Sequence, residues 1–480
     1  MAINVNRVDD NIWEIPKTGK MRVPGRVYAS KKLMDDITED DSLKQVQNVA
    51  HLPGITKYSL AMPDIHWGYG FPIGGVCATD AEEGVISPGG VGYDINCGVR
   101  LISTKLSASD VKDRMSNIVQ HLYKQVPTGV GSSGAISKIS KSDLRKLVTN
   151  GAAWSVSQGF GDQRDLEYIE ENGCLNDADA DAVSDRAYER GTTQVGTLGS
   201  GNHFLEVGRV EEIYHPQAAA LFGLQQDSIV VIIHTGSRGF GYQICDDYLK
   251  TTIKATSKYN IEIPDKQLAC APLTSDEGKQ YLGAMRCGAN YAFNNRQVIM
   301  HLAKQAFLEA LNISPRDLGF NLVYDICHNI AKFEEHQING HSQKVCVHRK
   351  GATRAFGPHS EYIPAKYTDI GQPVMVPGDM GRYSYVCVGT NKAMTETFGS
   401  SCHGAGRQMS RRQSKKQSRG MDMYQELRNR GVVIQASGNR TVAEEMPHAY
   451  KDVANVVDVM HNAGITTKVA RFRPMGVIKG

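Results

Sequence analysis

The chain alternates between two hydrophobic rhythms. Short apolar runs broken by glycine, proline and β-branched residues fill residues 51–105 and predict strand and loop. A further short strand is expected at Arg26-Val-Tyr-Ala29. Helical spacing begins at residues 107–125, opened by the cap pattern Ser107-Ala-Ser109-Asp110. Residues 140–225 read as mostly helical, interrupted by the acidic loop Asn176-Asp-Ala-Asp-Ala-Asp181. That loop lacks the glycine and terminal glutamate of an EF-hand and reads as a solvated turn. The run Ser228-Ile-Val-Val-Ile-Ile-His234 predicts a buried strand. Helical spacing resumes over residues 242–258 and 278–311. Strands are expected at 320–324, 344–348, 373–376, 383–388 and 469–479, with helices at 406–420 and 447–463. No internal repeat, heptad array or low-complexity linker interrupts the chain.

A length of 480 residues suggests about three domains at roughly 150 residues each. The candidate ligands below lie between residues 94 and 403, on helical and strand segments alike. A site gathered from such distant segments predicts one interwoven domain over residues 1–480 instead. Hydrophobic content of 41% and charged content of 22% are ordinary for a globular protein. No apolar run approaches the roughly 18 residues of a membrane helix, and the N-terminus lacks a signal-peptide layout. A cytoplasmic protein is expected. Ten cysteines without any Cys-x-x-Cys pair exclude zinc-ribbon and thioredoxin motifs and do not suggest a disulfide framework.

Glycine changes the picture. Five glycines fall between Gly84 and Gly98, in a stretch that also offers Asp94 and Cys97. Such a segment turns sharply and approaches other groups closely. Four later histidines, His203, His234, His328 and His403, stand beside glycine, serine, threonine, cysteine or asparagine. One thiolate, one carboxylate and three imidazoles exceed the needs of a single tetrahedral ion. A thiolate bridging two ions would use them all, and paired ions suit displacement at phosphorus. His403, inside Ser400-Ser-Cys-His-Gly-Ala-Gly406 and just before a helical pattern, reads as an exposed imidazole able to accept a phosphoryl group.

Net charge is only +3, so the distribution matters more. Residues 407–419 carry Arg407, Arg411, Arg412, Lys415, Lys416 and Arg419 without an acid. Residues 344–354 carry Lys344, His348, Arg349, Lys350 and Arg354. Both segments are expected to contact RNA. No Walker A motif and no Asp-Gly dipeptide occur, which removes the usual lysine nucleophile of nucleotidyltransferases. Two other readings stay open on residues alone: a two-metal phosphodiesterase or nuclease, and an RNA-binding scaffold with one structural zinc.

The segments Asp94-Ile-Asn-Cys97-Gly-Val-Arg100, Gly199-Ser-Gly-Asn-His203-Phe-Leu-Glu206, His234-Thr-Gly-Ser-Arg238, His328-Asn329 and Ser401-Cys-His403-Gly-Ala-Gly406 together resemble the RtcB family of RNA ligases. The likeness runs from end to end, including Val477-Ile-Lys479-Gly480. The resemblance implies an α+β fold: one catalytic domain, β-sheets lining a central metal cleft, helices outside. It implies joining of RNA 2′,3′-cyclic phosphate or 3′-phosphate ends to 5′-hydroxyl ends, with GTP and two Mn²⁺. It assigns one ion to Asp94, Cys97 and His203, the other to Cys97, His234 and His328, and the GMP-carrying role to His403. It maps the GTP pocket to Asn202, His203, Phe204, Leu205, Glu206, His328, Asn329, Pro377, Gly378, Asp379, Met380, Ser384, His403, Gly404, Ala405, Gly406 and Lys479. Phe204 and Tyr450 are candidates to flank guanine, and Glu206 and Asp379 both remain candidates to read it. tRNA exon halves as substrate, with repair of cleaved RNA as the alternative role, and an archease activator are further implications of the family.

Overall fold

A computed structural model describes residues 3–480. Two large sheets meet at the site, and each large sheet is mixed only where the chain crosses over. The first sheet has seven strands in the order Asn6–Asp9, Ile12–Ile15, Gly25–Tyr28, Ile55–His66, Ile73–Asp80, His341–Lys350, Asn329–Ile338. The second runs Asn321–Cys327, Gly98–Ser107, Ser228–Thr235, Phe204–Ile213, Thr466–Lys479, Ser384–Gly389, Pro373–Val376, with Val433–Ala436 added alongside Thr466–Lys479.

The register of the second sheet builds the site. Gly98 pairs with both Cys327 and Thr235, and His234 pairs with both Val99 and Phe204. These four strands are antiparallel neighbours. Two of them therefore start where the other two end, along one edge of the sheet. Cys97 and His203 immediately precede two strands, His234 is the penultimate residue of the third, and His328 follows the fourth. The chain then passes directly from Cys327 into Asn329–Ile338 of the other sheet, so His328 sits where the sheets meet.

Behind this edge runs the 36-residue helix Asp276–Leu311. Ser275 caps it by accepting from the Gly278 amide, and Asn312 ends it in the left-handed conformation (φ 55°). Its middle is buried on every face, as expected of a helix at the centre of a core. That burial includes Asn290, Asn294, Asn295, Arg296 and Gln297, each hydrogen-bonded. Among the described residues no helix is long and apolar enough to cross a membrane.

Four expectations need correction. Residues 140–225 are not mostly helical. Helices Lys141–Asn150, Ala152–Ser157, Asp185–Gly191 and Pro216–Phe222 are separated by 3-10 turns and by the strand Phe204–Ile213. That strand is central in its sheet and nearly all buried at its start, so tertiary pairing outweighs local propensity. The basic helix shortens to Arg411–Gln417, and the last helix begins only at Val453. The segment 344–354 presents no basic face. Its strand lies inside the seven-stranded sheet, and only Lys344 of its basic residues reaches solvent. Arg349 makes paired bonds to Glu334 at 2.6 and 2.8 Å, and Arg354 meets Glu171 at 2.5 Å. Lys350, with its ammonium on the Tyr69 and Gly89 carbonyls, is brought down to about 7 by burial.

Candidate metal centre and active-site cavity

The glycine-rich segment forms a tight turn that presents Asp94 and Cys97. The Cys97 amide donates to the Asp94 carbonyl at 2.9 Å, and Asn96 adopts φ 53°. The turn is tied to the neighbouring strands. Asn96 N donates to Asn329 O at 2.7 Å, and His328 N donates to Cys97 O at 2.8 Å. A Cβ at Gly236 would lie 2.4 Å from Asp94 Oδ1, so only glycine admits the carboxylate there.

Arg296 locks this turn from behind. Its guanidinium donates to Asn96 O at 2.8 Å, Asn96 Oδ1 at 3.1 Å and Thr235 O at 3.0 Å. It also pairs with Asp325, which Arg100 contacts from the other side at 2.7 Å. All three charged side chains are fully buried. One cation thus fixes the strands that carry Cys97, His234 and His328.

The donor atoms converge. Cys97 Sγ lies 3.4 Å from His203 Nε2 and 3.4 Å from His234 Nε2. His234 Nε2 is 3.3 Å from His328 Nε2, and His203 Nε2 is 2.8 Å from Asp94 Oδ2. Two groups of ligands result, Asp94/Cys97/His203 and Cys97/His234/His328, each within 4.8 Å, sharing the sulfur. The chemistry suits cations. Burial lowers His203, His234 and His328, which keeps their imidazoles neutral. His203 Nδ1 faces the Leu198 carbonyl at 3.0 Å and the Arg238 guanidinium at 3.1 Å, which fix the ring with Nε2 toward Asp94 and Cys97. Burial would raise Asp94, but His203 and Arg238 outweigh it and bring the carboxyl to about 2. Burial and Asp94 push the Cys97 thiol up, so a thiolate there needs positive charge beside it. The residues fit a pair of borderline-soft divalent cations held through one sulfur.

A cavity of about 1260 Å³ opens beside these ligands. Asn202, Phe204, Glu206, Pro377, Gly378, Asp379, Met380, Gly404, Ala405, Gly406 and Lys479 line it together with Asp94, His203, His234 and His403. Leu205 and Ser384 are buried behind the wall. Asn329 commits its amide to Asp94 O at 3.1 Å and to the Gly351 amide at 2.9 Å, as scaffold of the turn. The two candidate acids differ. Asp379 already accepts from Gly381 N at 3.0 Å and from Arg382. Among the described residues Glu206 has only Ser384 Oγ, at 3.4 Å, and burial raises it to about 8. Lys479 is lowered by burial to about 8 and sits 5.8 Å over the Phe204 ring.

His403 lies on the same wall, its ring centroid 4.8 Å from that of His328. Its Nδ1 is 2.6 Å from Asp64 Oδ2, and the same oxygen accepts from the His403 and Gly404 amides at 2.9 and 3.3 Å. Asp64 is fully buried. A carboxylate so placed keeps the proton on Nδ1 and leaves Nε2 as a nucleophile. Sequence reasoning missed Asp64. The available signal was one acid inside the apolar run Leu60-Ala-Met-Pro-Asp64-Ile.

The basic row at 407–419 is partly neutralised by acids far along the chain. Arg407 and Arg411 pair with Glu445 at 3.0 and 3.2 Å, and Lys415 pairs with Glu444 at 3.1 Å. Tyr450 donates to Glu445 and lies under the Arg407 guanidinium. Arg412, Lys416 and Arg419 are exposed and, among the described residues, have no acid within ion-pair distance.

Two groups of side chains able to hold cations, beside an aspartate-oriented histidine, suit a metal-dependent enzyme. Comparison with known proteins agrees: the model of the family described as tRNA-splicing ligase RtcB matches residues 45–480, and the chain belongs to that family. It is 52% identical to the tRNA-splicing ligase RtcB of Thermococcus kodakarensis over 479 residues, covering 100% of this chain and 99% of that protein. It is 51% identical to the protein of that name from Archaeoglobus fulgidus, with 99% of each covered, and 50% identical to that of Methanococcus maripaludis, with 100% of each covered.

Two outcomes follow from this geometry. Cys97→Ala should reduce bound Co²⁺ from two per chain to one or none and abolish the thiolate charge-transfer band; two ions bound with unchanged affinity would contradict the shared sulfur. Arg296→Met should leave Asp325 paired only with Arg100, destabilise the protein by about 3–5 kcal/mol in urea titration, and weaken Co²⁺ binding. Unchanged metal affinity in folded Arg296→Met protein would show that the turn holds itself.

Proposed function

We propose that this chain is a GTP-dependent RNA ligase that joins RNA ending in a 2′,3′-cyclic phosphate or 3′-phosphate to RNA with a 5′-hydroxyl, acting in tRNA splicing. The observation that carries the reading is the Asp64–His403 pair on one wall of the cavity that also bears the Cys97-centred ligands. Family membership supports it. Two Mn²⁺ held by Asp94, Cys97, His203, His234 and His328 would neutralise phosphate charge and polarise the phosphorus under attack.

His403 Nε2 attacks the α-phosphorus of GTP, forming an N–P bond as pyrophosphate leaves. Asp64 holds the Nδ1 proton throughout and stabilises the cationic imidazole that results. A 3′-phosphate oxygen of the RNA then attacks the bound GMP, freeing His403 and giving an RNA-ppG end. The 5′-hydroxyl attacks the 3′-phosphorus, the P–O–P link breaks, GMP departs and the hydroxyl proton is lost to solvent. A cyclic phosphate is first opened by water. Glu206, with the freer oxygens, accepts the guanine N–H groups, while Asp379 fixes Arg382 and the wall. Lys479 and Asn202 meet the phosphates, and Phe204 and Tyr450 flank the base. Arg238, Arg412 and Lys416 meet RNA phosphates. tRNA exon halves are the substrate on this reading, and archease accelerates turnover without altering these roles.

The test is transfer of label from α-³²P-GTP with Mn²⁺ to denatured protein. Wild type should label and His403→Ala should not; label surviving in His403→Ala rejects the assigned nucleophile. Asp64→Asn should slow labelling by about 10²-fold or more while leaving metal content unchanged. Glu206→Gln should remove the preference for GTP over ATP, and retention of that preference would return the role to Asp379. Arg412→Glu/Lys416→Glu should weaken RNA joining and spare labelling; equal loss of both would assign these residues to GTP or to folding.

A further inference from the structure

One part of the cavity wall serves neither the cations nor the nucleotide. After the strand Ile55–His66 the chain turns through Trp67-Gly68-Tyr69-Gly70, and three side chains from elsewhere clamp that turn. Gln45 donates to Gly68 O at 2.5 Å and Gly70 O at 3.2 Å and accepts from Gly68 N at 3.0 Å. Lys350 donates to Tyr69 O, and Gln267 accepts from Gly70 N at 2.9 Å. A turn held this firmly directs its side chains.

The Trp67 indole is nevertheless 57% exposed and lines the cavity. Among the described residues it stacks on no ring or cation, and its N–H has no acceptor. A second aromatic on the cavity wall, Tyr242, is 47% exposed. Tyr242 stacks on Tyr93 at 4.8 Å, and Tyr93 meets Tyr69 edge-on at 5.9 Å. The aromatic row thus connects the Trp67 turn to the residue preceding the ligand Asp94. Arg190 lies 5.1 Å over Tyr242, and both Arg190 and Arg238 line the cavity. Leaving two large rings in water at a cavity mouth is unfavourable unless something covers them.

Arginines and exposed rings lining one cavity match single-stranded nucleic acid, whose bases stack on aromatics while its phosphates meet the cations. A duplex keeps its bases paired and stacked on one another and offers a ring only its end faces. Asp36, Glu39 and Asp40 also line the cavity and repel phosphate, which leaves base stacking as the contact open to Trp67.

We propose that Trp67 and Tyr242 form a ledge on which unpaired terminal bases of RNA stack beside the reacting ends. The inference rests on the RNA-joining reading above and adds a demand for single-stranded termini.

The chain has three tryptophans, so Trp13→Phe/Trp154→Phe leaves Trp67 as the sole reporter. Titrating that full-length variant with a single-stranded oligoribonucleotide should quench its emission saturably, and a blunt duplex of the same sequence should quench far less. No quenching, or equal quenching by duplex, overturns the ledge. Trp67→Ala/Tyr242→Ala should weaken single-strand binding and joining about tenfold or more, with GTP labelling of His403 unchanged and Trp67→Phe restoring most of the loss. Wild-type joining by the double variant overturns the ledge even if it folds and labels normally. Failure of wild type to label with GTP would instead reject the ligase reading, and Trp67 quenching would still report the ledge separately.

Discussion

The whole site depends on one sulfur being reachable from two sides. Cys97 Sγ sits 3.4 Å from imidazole nitrogens belonging to two different ligand groups. That requires a backbone turn stiff enough to hold a cysteine between strands that run in opposite directions. The turn is stiff because its carbonyls and amides are bound to Arg296, Asn329 and His328, and because Arg296 is itself fixed by buried Asp325. A buried ion pair of this kind contributes little net stability compared with an apolar filling. Its value here is geometric: it sets where three strands end.

Burial then sets the chemistry. Without ions the site keeps its imidazoles neutral and its thiol protonated, so cation binding must displace the thiol proton. The same low-polarity wall holds Glu206 and Lys479 near their titration points, at about 8 each, so both respond to a ligand that supplies charge or hydrogen bonds. His403 is treated differently. Its aspartate is provided by the first sheet, 339 residues away in sequence, so the contact between the two sheets sets His403 beside the Cys97 cluster.

The gathering of these side chains was legible because glycine, serine, threonine, cysteine or asparagine stands close beside each of them in sequence, mostly where an apolar run begins or ends. Strands such as Ser228–Thr235 and Pro373–Val376 were legible because unbroken apolar runs between turn signals admit little else. What escaped depends on distant partners. Asp64 looks like an oddity in an apolar strand until His403 is placed against it. The acid-free row at 407–419 looked like an open basic face because Glu444 and Glu445 lie some thirty residues on. Arg349 and Arg354 read as surface charge because their acids, Glu334 and Glu171, belong to other segments. Phe204–Ile213 read as helix because only its sheet neighbours make it a strand.

Crystals grown with Mn²⁺ and a non-hydrolysable GTP analogue, recorded at the manganese absorption edge, test the account most directly. It predicts two anomalous peaks roughly 4 Å apart, both bonded to Cys97 Sγ, with the α-phosphorus facing His403 Nε2. A single peak, or a sulfur outside bonding range of both ions, would contradict it.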